Sequence, residues 1–147
     1  YQIGSRQSID LSQWLEQGLL LKEKEFRTQL KAHDWTIYRD KFIALQCSTE
    51  AILPSWAFLL VTTHLQPFAR KVVLGNLKDL EVQLFAEEIQ LLELSPYKDQ
   101  PVIIKGCSEN TVPQDAYVQL ISKLQPVVKS LFYGEACSSV PLYKKKK

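Results

Sequence analysis

From Lys41 onward the chain alternates compact apolar runs with helix-length segments, and this alternation constrains the fold more than any other feature. The runs Phe42–Gln46, Lys71–Leu74, Val102–Lys105 and Val127–Tyr133 each have the length and apolar content of a buried strand. Between them lie segments that read as helices: Pro54 to about Gln66, Leu77 to about Glu93, and Pro113 to about Gln125. Pro54 suits the first turn of a helix, Pro67 blocks continuation of the one before it, and Ser95-Pro96 breaks the next. Strands separated by helices need crossover connections, so the pattern predicts an α/β fold with a mostly parallel sheet and flanking helices. Upstream, Arg6–Ile9 reads as a short strand. Asp10 or Ser12 caps a short helix carrying Trp14 and Leu15, and Gly18 ends it. Lys22–His33 is amphipathic, with Phe26 and Leu30 on one face. Residues 1–40 are therefore expected as an N-terminal helical section, 41–143 as the α/β core of a single domain, and 144–147 as a solvated basic tail.

A repeat lies inside this core. Residues 42–75 superpose on 102–134 in sequence with one gap at Thr49, and ten positions are then identical, among them Cys47/Cys107, Ser48/Ser108, Pro54/Pro113, Leu65/Leu124 and Gly75/Gly134. The spacing predicts an internal βαβ duplication. All three cysteines are followed by serine, in the pairs Cys47-Ser48, Cys107-Ser108 and Cys137-Ser138, and each pair precedes an aliphatic residue and a proline. All three also fall just after predicted strands. Ligands gather at the carboxyl ends of parallel strands, so the pattern places three thiols in one possible neighbourhood.

Three readings of those thiols stand side by side. Thiolates are soft ligands for zinc or an iron–sulfur cluster, and Cys47, Cys107 and Cys137 would leave a fourth position open. Glu135, Glu50 and Glu109 are fourth-ligand candidates, and Ser48, Ser108 and Ser138 are candidates either to support the ligands by hydrogen bonds or to take that fourth place. In the second reading, a cysteine just before a helix N-terminus becomes a reactive thiolate. That chemistry needs a histidine within hydrogen-bond reach, and the chain offers only His33 and His64. His64 sits late in its helix, pointing away from the strand ends, and a Cys/Arg phosphatase loop is absent. The third reading is structural: free cysteine is among the most buried residue types, and the protein is then a non-catalytic interaction module. Whether it is an enzyme is left open by the residues alone.

Composition narrows the class. With 147 residues, 46% hydrophobic and 23% charged, the chain is an ordinary globular protein able to bury a core without staples. A net charge of +2, much of it in Lys144–Lys147, argues against nucleic acid as a partner. No stretch approaches the ~20 apolar residues that span a bilayer, and no signal-peptide pattern is present, so no membrane role is expected. Three cysteines without a secreted-scaffold spacing point to reduced thiols in the cytoplasm. The chain opens on Tyr1 and not on methionine, which suggests a native N-terminus further upstream. A homo-oligomer is compatible with all of this. Trp14, Trp35, Trp56 and Phe58 read as core and rim aromatics, and Lys22-Glu23-Lys24-Glu25 as a solvated helix face. Arg27 and His33-Asp34 are candidates for a polar site, with surface pairing the plainer alternative.

Several segments together carry a family resemblance. They are Glu25-Phe26-Arg27, His33-Asp34-Trp35, Cys47-Ser48-Thr49, Pro54-Ser55-Trp56-Ala57, Leu65-Gln66-Pro67, Lys105-Gly106-Cys107-Ser108 and the stretch Tyr133-Gly134-Glu135-Ala136-Cys137-Ser138-Ser139-Val140-Pro141. Through them nearly the whole chain resembles a small bacterial family of unknown function whose genes tend to lie beside iron–sulfur assembly genes. The resemblance transfers no catalytic residue. It implies a cytoplasmic role near cluster assembly, with iron–sulfur assembly proteins as partners.

Overall fold

The computed structural model describes residues 2–106, 112–134 and 138–146, so Cys107, Ser108, Glu109, Glu135 and Cys137 lie outside the described residues. The chain forms two compact units, Gln2–Gln83 and Leu84–Lys147. The mixed α/β character is as expected. Among the described residues the strands form two three-stranded sheets and not the single sheet expected, in the orders β1-β2-β3 and β4-β5-β6.

The first unit is built on β1 (Arg6–Asp10), β2 (Phe42–Gln46) and β3 (Lys71–Leu74), all parallel. Phe42, Ile43, Ala44 and Leu45 are all buried, the signature of a central strand covered on both faces. The N-terminal section therefore does more than add helices, because β1 is an edge strand of this sheet. Helix α1 (Glu23–Ala32) buries Phe26 and Leu30, one turn apart, and puts Glu23 and Glu25 in its first turn and Lys31 in its last, matching its dipole. Helix α2 (Ser55–Leu65) buries Ala57, Val61 and Leu65 at four-residue spacing. Together with Ile9, Leu11, Ile43 and Leu45 these side chains form the core of the unit. Two 3-10 turns, Leu11–Trp14 and Trp35–Tyr38, begin where Asp10 and Asp34 accept the backbone N–H groups of Ser12 and Thr36. The second turn has no counterpart in the sequence reading.

Helix α3 (Leu77–Gln90) follows β3. The second unit then pairs β4 (Pro101–Ile104) parallel to β5 (Ser130–Tyr133), with helix α4 (Gln114–Leu124) between them in the chain. Ile104, Leu124, Val128 and Leu131 form its core. Val127 and Val128 do not open β5 as expected, because both N–H groups turn back to the Leu124 carbonyl. An unanticipated strand, β6 (Val140–Lys144), pairs antiparallel with β5. The link from β5 is too short for a crossover, so the return has to be antiparallel. The strand takes in Lys144, and the Lys145 N–H donates to the Lys129 carbonyl, so ladder bonding reaches into the basic stretch.

The two βαβ segments share a hydrogen-bond frame. Ala57 bonds Pro54, Gln66 bonds Thr62, Arg70 bonds Lys41 and Gly75 bonds Leu45; each of these bonds recurs 59 residues on, at Ala116–Pro113, Gln125–Ile121, Lys129–Gln100 and Gly134–Ile104. Asp40 and Asp99, also 59 apart, both hold positive φ, at 60° and 56°. Both prolines sit at N-cap positions, one residue ahead of the first helical turn. The constant spacing leaves no gap at Thr49. By that spacing Cys47 corresponds to Gly106 and not to Cys107, because backbone hydrogen bonding and not residue identity fixes equivalence within a strand.

Candidate functional site

At the carboxyl edge of the first sheet, β1 and β2 end side by side, with Asp10 paired to Gln46. Asp10 ties the two ends together. Its Oδ1 accepts the Ser12 N–H at 2.9 Å and the Ser48 N–H at 3.1 Å, the latter from 38 residues away. Partial burial works against the ionised carboxylate, but the bonds from Ser48 and Ser12 outweigh it and bring the carboxyl from 3.8 down to about 2. The folded pKa is depressed, so this stabilisation is present above the unfolded value near 3.8 and is lost as pH falls through about 2. Asp10→Asn should therefore remove about 1 kcal/mol of acid-dependent stability, a figure reduced for partial exposure. Urea midpoints measured between pH 5 and pH 2 check this: the parent should weaken over that range more than the variant, and parallel curves would refute the assignment.

Cys47 follows directly. It is partly buried and lines an open cleft of about 410 Å³ with Leu45, Thr49, Leu53, Phe58 and Leu74. Thr49 Oγ1 donates to the Gly18 carbonyl at 2.6 Å and lies 3.3 Å from Cys47 Sγ. A hydroxyl has one proton, so in this arrangement the thiol is the donor to Thr49. The cleft lining is thus mixed, with the thiol and the Thr49 hydroxyl among its polar groups. Ser48 turns its N–H to Asp10, its hydroxyl stands 3.5 Å from that of Ser12, and Glu50 is exposed. Ser138 is described and exposed in the second unit. Among the described residues no group of three histidine, cysteine or acidic side chains is arranged to hold a metal ion.

The histidines are placed elsewhere. His33 Nε2 hydrogen-bonds the Tyr38 hydroxyl at 2.7 Å, and His64 stacks on Trp35 with ring centroids 5.1 Å apart. Phe58 in the cleft lies on the first turn of α2 and His64 on its last, roughly 9 Å apart along the axis at 1.5 Å per residue. Arg27 pairs with Glu23 at 3.6 Å and lies over Trp56, and Asp34 bonds Thr36, so no polar site unites Arg27 with His33-Asp34. Sequence reasoning missed Asp10 and Thr49 as parts of the edge. Asp10 carried a visible signal, an acid closing a strand pattern; Thr49 carried none.

A family model described as a protein of unknown function (DUF2480) matches residues 1–145. The chain belongs to this family. Searches of curated proteins and of solved structures find no match to it. Among the described residues, no helix is long and apolar enough to cross a membrane.

Proposed function

We propose that this member of the family is an accessory protein that takes up a thiophilic ligand, a zinc ion or an iron–sulfur cluster, through its strand-end cysteines. Cys47 is the donor in the first unit; Cys107 and Cys137, which follow β4 and β5 in the chain, are the donors in the second. The observation that supports this reading is the position of Cys47, at the end of a central parallel strand in an open cleft, where α/β sheets bind their ligands. Partners in cytoplasmic cluster assembly follow from the family resemblance. We also read the two βαβ segments as copies of one ancestral unit, on the hydrogen bonds they share at constant spacing.

Metal analysis and absorption spectra of protein purified without oxygen test the proposal, with Cys47→Ser and Cys107→Ser beside the parent. Near-stoichiometric zinc or iron in the parent, lost in either variant, is the expected result. A metal-free parent would sink it.

One observation favours a second reading. The Cys47 thiol already has a local acceptor in Thr49 and packs against the core of its unit, as a structural cysteine does in an interaction module. Under that reading Cys47→Ala lowers stability and metal is absent throughout.

A further inference from the structure

The opposite, amino-terminal edge of the first sheet carries a different chemistry. There the loops entering β2 and β3 are locked together: the Asp40 N–H donates to the Phe68 carbonyl at 2.9 Å and the Arg70 N–H to the Lys41 carbonyl at 2.8 Å. Each loop holds an arginine over an aromatic ring. Arg39 lies over Phe68 at 5.3 Å from the ring centroid, and Arg70 over Phe42 at 4.9 Å. Arg70 gives one N–H to the Ile3 carbonyl at 3.1 Å, and the Arg39 side chain has no ion-pair partner among the described residues. Lys41 adds positive charge beside them, its Nζ donating to Gln7 Oε1 at 3.0 Å. Arg6 is already answered by Glu81 at 2.6 Å.

Two aliphatic side chains flank the arginines. Ile37 is 49% exposed, in the turn whose Thr36 carbonyl accepts the Arg39 N–H, and Ile3 is 84% exposed, beside its own bond to Arg70. Stacking on a ring restricts a guanidinium before any ligand arrives, and its planar fork fits a carboxylate with two parallel bonds. Two such forks with most of their donors uncommitted suit an oxyanion-bearing partner. The exposed isoleucines narrow the choice, because a sugar–phosphate backbone offers them nothing to bury, whereas a polypeptide with acidic and aliphatic residues satisfies both features. We propose that this edge docks an acidic, aliphatic segment of a partner protein.

The test is fluorescence anisotropy of the full chain with a short fluorescein-labelled peptide alternating glutamate and valine, at low and at physiological salt. Binding is expected, weakening with salt. Arg39→Gln should lower affinity about tenfold, the loss of a charge-assisted bond, and Arg39→Lys should recover part of it. Lys31→Gln on α1 should change nothing. Arg39 is exposed, so its variants fold; Arg70→Gln gives the same reading where circular dichroism shows the fold intact. No binding, or binding indifferent to Arg39→Gln, overturns the proposal. Tighter binding of an oligothymidylate of equal charge does so too, by making nucleic acid the occupant.

Discussion

Trp35→Ala is expected to lower the unfolding free energy of the first unit by about 4 kcal/mol, near the top of the range for deleting a buried aromatic. Trp35 is 7% exposed, and its Nε1–H donates to the Leu30 carbonyl at 2.7 Å, joining the end of α1 to the turn that enters β2. His64 stacks on its ring, while His33 and Tyr38 pack against it at 4.8 and 5.8 Å. Truncation removes the ring partner of His64, His33, Tyr38 and Trp14, opens a cavity and strips a buried carbonyl of its donor. Trp35→Phe keeps one six-membered ring but loses the N–H and about a third of the ring atoms, so about 2 kcal/mol is expected there. Urea unfolding followed by circular dichroism measures both. A Trp35→Ala loss below about 1 kcal/mol would mean that the aromatic cluster is peripheral to stability.

Gly75→Ala should cost about 3 kcal/mol, through two separable causes. The residue holds φ 142°, a conformation that L side chains resist at roughly 1–3 kcal/mol. An added Cβ would also stand 2.5 Å from Asp79 Oδ2. Asp79 cannot simply move aside: its carboxylate accepts the Asn76 N–H at 2.9 Å while its own N–H donates to Asn76 Oδ1 at 2.8 Å, a reciprocal cap on α3. A double-mutant cycle with Asp79→Ala separates the causes. If Gly75→Ala costs less in the Asp79→Ala background, the side-chain contact contributes; an unchanged cost leaves backbone strain as the whole effect.

The Cys47 edge was partly legible in the chain. The run Phe42–Gln46 is β2 to the residue, and the cysteine that follows it does line a carboxyl-edge cleft. Asp10 reads from its neighbours as a possible helix cap, and it does bond Ser12, but its second bond reaches Ser48 across the sheet. No local pattern contains that contact, because it exists only once β1 and β2 lie side by side. Thr49 is only a gap in the sequence repeat, yet it links Cys47 to Gly18 through one hydroxyl. His33 could not be placed from its neighbours, since the Tyr38 hydroxyl and the indole faces that receive it come from a turn whose conformation the periodicity does not encode.

What the chain determined by itself was everything carried by short-range patterning. Apolar runs of strand length, helical spacing such as Ala57, Val61 and Leu65, and the stops at Pro67 and Gly75 are set by steric and burial preferences acting within a few residues. Tertiary structure alone decided which strands share a sheet, that β6 returns antiparallel beside β5, and that the recurring hydrogen bonds make Gly106 and not Cys107 the counterpart of Cys47. Those outcomes depend on hydrogen bonds and packing between residues far apart in the chain, where a one-residue change of register leaves the local pattern intact and exchanges the buried face for the exposed one.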